Sequence, residues 1–144
     1  MYGIELDKPA VFLYSSLRYF SENEYHITRF CEDDVLLLVF DGVLRFSENG
    51  KNYEIHPGEY FIQKGGCRQE GCFPSLAPKY LYIHFRGTWG NSDTTVPRSG
   101  KFDYIKFKPL IENLDNMCHK NYSYTDKCAV FYYILSLLKT KPKK

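Results

Sequence analysis

The chain has little of what most functional classes need. Its 19 basic and 17 acidic side chains leave a formal net charge of only +2, too small an excess to announce nucleic acid or an anionic membrane surface as a partner. The longest apolar run, Val35 to Phe40, falls far short of the roughly 20 residues that a membrane-crossing helix requires. The N-terminus lacks a basic segment followed by an apolar one and meets Asp7, Lys8 and Arg18 early, so no secretory signal is predicted and a cytoplasmic location is expected. Cys31, Cys67, Cys72, Cys118 and Cys128 are odd in number and irregular in spacing, the mark of reduced thiols more than of a disulfide framework.

Chemistry-bearing motifs are equally scarce. The histidines, His26, His56, His84 and His119, include no His-x-His pair, and Cys67 and Cys72 have no matching second pair to complete a zinc site. No Gly-x-Ser-x-Gly, Walker or Gly-x-Gly-x-x-Gly element occurs. Asp33, Asp34, Glu59 and Glu70 fall at turn-like positions, where carboxylates are mostly solvated or capping. The expectation is therefore a protein with no catalytic residues, no metal and no cofactor.

What the chain does have is aromatic: 13 Tyr and 11 Phe against a single Trp, which suits strands and also the walls of a small-molecule cavity. Val35 to Lys64 reads as short strands punctuated by turns. Asn49-Gly50 between Val43–Phe46 and Tyr53–Ile55 predicts a tight hairpin needing positive φ, and Pro57-Gly58 opens a strand at Tyr60–Gln63. Val11–Tyr14 and Tyr25–Phe30 are further predicted strands, whereas Gln69–Phe73 is poorly patterned and Pro74–Pro78 reads as a loop. Lys79–Arg86 alternates cleanly, with Tyr80, Tyr82 and His84 on one face and Leu81, Ile83 and Phe85 on the other. Either face could point inward on periodicity alone.

Gly87 to Gly100 is loop-like in composition, and beyond it the period becomes helical. Pro109 is placed as a first-turn proline ahead of Leu110, Ile111, Leu114, Met117 and Cys118. After a loop at Asn121–Tyr124, Thr125-Asp126 offers an N-cap for a second helix striped by Val130, Tyr133, Ile134, Leu137 and Leu138. The tail from Lys139 to Lys144 reads as the start of a linker. The fold class that follows is mainly β with a C-terminal helical hairpin.

The Gly42 … Pro57-x-x spacing of glycine and proline resembles the cupin superfamily of jelly-roll barrels. More narrowly, Asp34, Leu37, Gly42, Tyr53–Ile55–Pro57–Gly58–Glu59 and Tyr82-Ile83-His84-Phe85-Arg86-Gly87 resemble the N-terminal sensor domain of AraC-type transcription regulators. The resemblance implies a barrel with an N-terminal arm over residues 1–100 and a dimerising helical hairpin over 101–144. It also implies a small-molecule effector, a sugar or other polar metabolite, held by Tyr80, Tyr82 and His84 inside the barrel, with Arg29, Asp41 and Gln69 near the mouth. A homodimer through Val130, Tyr133, Ile134, Leu137 and Leu138 is expected, with DNA contacted only through a domain missing from this chain, as if truncated at its linker. The usual cupin metal position just after the Gly42 strand carries Arg45-Phe46-Ser47 instead of His-x-His. The alternative reading is a stand-alone cupin enzyme such as a sugar isomerase or dioxygenase.

Overall fold

A computed structural model describes residues 2–139. In chain order the strands are β1 (Gly3–Glu5), β2 (Val11–Tyr19), β3 (Glu22–Tyr25), β4 (Arg29–Cys31), β5 (Asp34–Glu48) and β6 (Lys51–Ile55). There follow β7 (Glu59–Gln63), β8 (Cys67–Glu70), β9 (Pro74–Arg86), β10 (Trp89–Gly90), β11 (Thr95–Pro97) and β12 (Ser99–Lys101). Two helices, α1 (Tyr104–Cys118) and α2 (Tyr124–Leu138), complete the chain. The fold is mainly β with two C-terminal helices, as its composition implies. The strands form a large sheet built on β5 and β9 and a small one in the order β10-β1-β11, and neither closes on itself.

The long strand β5 holds this together. Its first half lies between β7 and β9, with Leu37 opposite both Phe61 and Tyr82, and its second half pairs with β6 and β8. The switch occurs at Gly42, whose φ is +65°. There a Cβ would stand 2.3 Å from the carbonyl oxygen of Leu76, so only glycine lets β9 pass. The irregular register on either side of Gly42 also inverts the side-chain parity of β5. Val35, Leu37 and Val39 before it, and Leu44 and Phe46 after it, therefore share one apolar cluster with Phe61 and Tyr80.

The other face of the large sheet carries Leu36, Leu38, Ile62, Leu81, Ile83 and Phe85, packed beneath Phe107, Ile111 and Leu114 of α1 and Phe131, Ile134 and Leu135 of α2. The stripe read as a dimer surface is thus mostly occupied within the chain. Ile134 and Leu138 are buried, Val130 and Leu137 pack partly against the same core, and only Tyr133 stands exposed.

Several local expectations are corrected. The segment expected as an N-terminal arm carries two strands: β2 pairs with β9 and β1 is the central strand of the small sheet. The Pro74–Pro78 segment is the start of β9, where a proline at the first strand position and a bend at Ala77 (φ +42°) spare the ladder. Residues 87–100 contribute three short strands rather than a bare loop. The first helix begins at Tyr104 with Asp103 as N-cap, its side chain accepting from the backbone N–H of Ile105 and Lys106, and Pro109 lies inside it. The second helix is capped by Ser123, two residues before the expected Thr125. The linker reading falls almost wholly on residues 140–144, outside the described residues. Among the described residues no helix is long and apolar enough to cross a membrane.

Candidate functional site

The Tyr/His face of β9 is left uncovered by the helices, and a cavity of about 460 Å³ lies against it. Register builds the wall: Tyr80, Tyr82 and His84 on β9 stand opposite Arg18, Ser16 and Tyr14 on β2. Val35 and Leu37 of β5 and Gln63 of β7 add a floor, while Glu24 to Arg29, the run joining β3 to β4, supplies His26, Ile27 and Arg29. Rings meet in mixed geometry. Tyr14 stacks on His84 with centroids 4.3 Å apart, and Tyr82 meets His84 edge-on at 5.6 Å.

The polar groups of this wall can be accounted for one at a time. His26 is buried, its Nδ1 lying 2.7 Å from the carbonyl oxygen of Ile27 and its Nε2 3.2 Å from the amide nitrogen of Gln63. A carbonyl only accepts, so Nδ1 carries the proton, Nε2 accepts from Gln63, and the ring is neutral. Burial agrees, holding the His26 pKa down at about 4. The same orientation leaves Oε1 of Gln63, a residue 1% exposed, without a hydrogen-bond partner. His84 is likewise buried and its pKa is lowered, because burial outweighs the 3.2 Å contact of its Nδ1 with Asp33. Burial also raises the phenols of Tyr14 and Tyr80, so both remain neutral donors and acceptors near neutrality.

The two arginines of the cavity differ. Arg18 forms an ion pair with Glu24 and lies over the Phe20 ring. Arg29 has no ion pair among the described residues, and its Nε is buried with no hydrogen-bond partner. Its charge acts on Tyr14, His26, Tyr80 and His84 together.

Of the residues predicted from the sequence, Tyr80, Tyr82, His84 and Arg29 come together around the cavity. Asp41 and Gln69 do not line it. Asp41 accepts from the backbone N–H of Gly42 and faces Lys79 at 3.7 Å on the surface. Gln69 is fully buried and donates to Glu48, which also accepts from the Lys64 backbone N–H and from Arg98. Sequence reading missed His26, Gln63, Tyr14 and Arg18. Alternation in β7 does place Gln63 on the face of Phe61, but nothing local says which face meets the cavity.

Beside the cavity, Cys31, Asp33 and His84 bring one potential metal-ligand atom each within 4.8 Å of one another. Cys31 at the end of β4 and Asp33 just after it are two residues apart, but His84 on β9 lies 51 residues beyond Asp33, so the set of three has no spacing by which it could be found in sequence. No family model matches the chain, and no curated protein matches it.

Proposed function

We propose that the chain is the small-molecule-sensing domain of an AraC-type transcription regulator, a cupin-like β domain that takes a polar metabolite, a carbohydrate by class, on its Tyr/His face. One observation carries this reading. The strand face that bears hydrogen-bonding aromatic tips borders a cavity, while the face of Leu81, Ile83 and Phe85 is sealed by the helices. A mixed wall of rings and convergent polar atoms at this volume suits a small polar ligand. The strand bearing Tyr14 and Arg18 is also tied to α1: Asp115 accepts the backbone N–H of Leu17 at 2.9 Å, and His119 lies 3.2 Å from the Ser16 hydroxyl. Occupancy felt by β2 thus has a direct route to the helical layer. The apolar side chains of α2 are mostly engaged within the chain, so a homodimer through that helix would use its exposed side, where Tyr133 lies. DNA would be met by a further domain outside this sequence.

The Cys31–Asp33–His84 triad favours a second reading, a cupin enzyme with a metal at the cavity edge. The positive field of Arg29 at His84 works against a cation there and favours the first. Thermal denaturation with a metabolite panel tests the proposal. A ligand at a hundred times its Kd should add about 2.7 kcal/mol, or roughly 8 °C in Tm. The gain should shrink in Tyr82→Ala, persist in Tyr133→Ala, and leave the ligand chemically unchanged. Equal gains in wild type and Tyr82→Ala would refute the site, and turnover of the ligand would move the assignment to the enzyme.

A further inference from the structure

We infer that the cavity is built for an anion, a hydroxylated monocarboxylate whose carboxylate is held by Arg29 and one of whose hydroxyls donates to Gln63. This rests on the binding reading above and names the ligand class within it. Two buried atoms on the wall lack partners, and they are complementary: Nε of Arg29 is a donor and Oε1 of Gln63 an acceptor. Leaving either unsatisfied in a folded interior is costly, and a charged donor more so. A ligand offering both an acceptor of negative charge and a hydroxyl donor satisfies both at once.

Charge decides the class. The ionised side chains lining the cavity are Arg18, Arg29 and Glu24, two positive and one negative, which leaves +1. Glu24 already pairs with Arg18, so the excess sits on Arg29. Asp33, the carboxylate beside His84, is engaged by His84 at 3.2 Å and by Arg86 at 3.5 Å rather than by Arg29. Glu24 is the only carboxylate among the lining residues, so no other group on the wall balances the guanidinium. A single unpaired guanidinium matches a carboxylate, whose two oxygens fit its planar fork, better than a phosphate dianion that would call for a second cation. The rings of Tyr14, Tyr80 and Tyr82 offer faces to the carbon skeleton of a sugar acid.

The test is thermal denaturation and calorimetric titration of the full 144-residue chain. Probes are a set of hydroxycarboxylates (glycolate, lactate, D-gluconate, D-glucuronate, D-galacturonate) beside the neutral counterparts D-glucose and D-galactose. At least one acid should bind saturably and at least tenfold more tightly than its neutral counterpart, and Arg29→Gln should remove that preference. Because the Arg29 side chain has no ion pair among the described residues and its Nε has no hydrogen-bond partner, Arg29→Gln should keep or raise the Tm of the free protein, an outcome a merely structural arginine would not give. If neutral sugars bind wild type and Arg29→Gln equally and the acids bind no better, the anion assignment is overturned while the binding site stands. An acid that binds both proteins alike, or a free Arg29→Gln protein that loses stability, overturns the role of Arg29. If nothing in the panel binds wild type, the inference and the sugar-sensing reading fall together.

Discussion

Acid should find His26 before it finds the carboxylates. The ring is neutral in the folded chain with its pKa held at about 4 by burial, against an ordinary value of 6.5. Above that ordinary value the folded and unfolded chains are both unprotonated at this site and no differential exists. As pH falls below 6.5 the unfolded chain takes up a proton that the folded chain refuses, so stability declines until the folded ring itself titrates near pH 4. At about 1.4 kcal/mol per unit the full window removes about 3 kcal/mol, a large share of the 5–15 kcal/mol typical of a small domain. Glu5 and Glu70, whose pKa values are lowered from 4.5, can act only below that value, so the interval above it isolates histidine. His84 shifts in the same direction, and comparison with a variant cancels it. Urea unfolding followed by circular dichroism should show wild type losing stability steadily from pH 6.5 downwards. His26→Gln, which cannot charge and keeps an amide near Gln63, should lose markedly less. Parallel decline in the two proteins over this range would mean that His26 is solvated in the folded state, and the buried His26–Gln63 contact would have to be abandoned.

Two further outcomes follow from packing. Gly42→Ala places a side chain at φ +65° and 2.3 Å from a backbone oxygen of β9; the conformation alone costs about 1–2 kcal/mol and the clash adds to it. A urea midpoint indistinguishable from wild type would show that β5 does not bend there. Ile134→Ala, at a fully buried site, should cost about 2–5 kcal/mol, whereas Tyr133→Ala on the exposed side should stay within about 0.5 kcal/mol. Sedimentation showing that Ile134→Glu stays folded and merely dissociates a dimer would support the interface reading of α2 over its role as a cover for the sheet.

The elements readable in the sequence are those fixed by neighbours in the chain. Asn49 and Gly50 take φ +47° and +84° and join Glu48 to Lys51 as a two-residue hairpin, because that turn chemistry is local. The start of α1 was misplaced for an instructive reason. Pro109 in a helix interior forfeits a hydrogen bond and usually marks a boundary, but here it lies on the exposed side while Phe107, Ile111 and Leu114 bury the opposite one. Packing of Phe107 beneath the sheet, with Asp103 as cap, carries the helix through the proline. The strands between Gly87 and Lys101 were illegible because their partners are distant. β10 and β11 pair with Gly3–Glu5, and Asp34 fastens the segment by accepting from the Gly87 backbone at 2.9 Å and the Trp89 indole at 2.9 Å.

The candidate site shows where such reading stops. Alternation assigns Tyr80, Tyr82 and His84 to one face, and that much is a property of the strand. Whether a polar residue on the same wall is free for a ligand depends on who else has reached it. Gln63 and Gln69 are both buried glutamines at the ends of short strands. Gln69 donates through its Nε2 to Glu48, brought beside it by the inverted parity of β5 after Gly42, and so belongs to a buried polar network with Arg98, its own unpartnered Oε1 lying away from the cavity lining. Gln63 meets His26, a neighbour with one lone pair to offer, and so keeps an oxygen unsatisfied at the cavity. The same holds for the arginines: Arg18 is neutralised by Glu24 six residues away, whereas Asp33, the carboxylate beside His84, is engaged by His84 and Arg86. An unpaired charge arises only where every nearby counter-charge has a better partner, and those partners, Arg18 on β2 and His84 and Arg86 on β9, lie far in sequence from Arg29 in β4 or on another strand. For that reason Arg29→Gln is the substitution that separates a ligand anchor from a structural cation: one removes a charge the fold does not use, the other one it does.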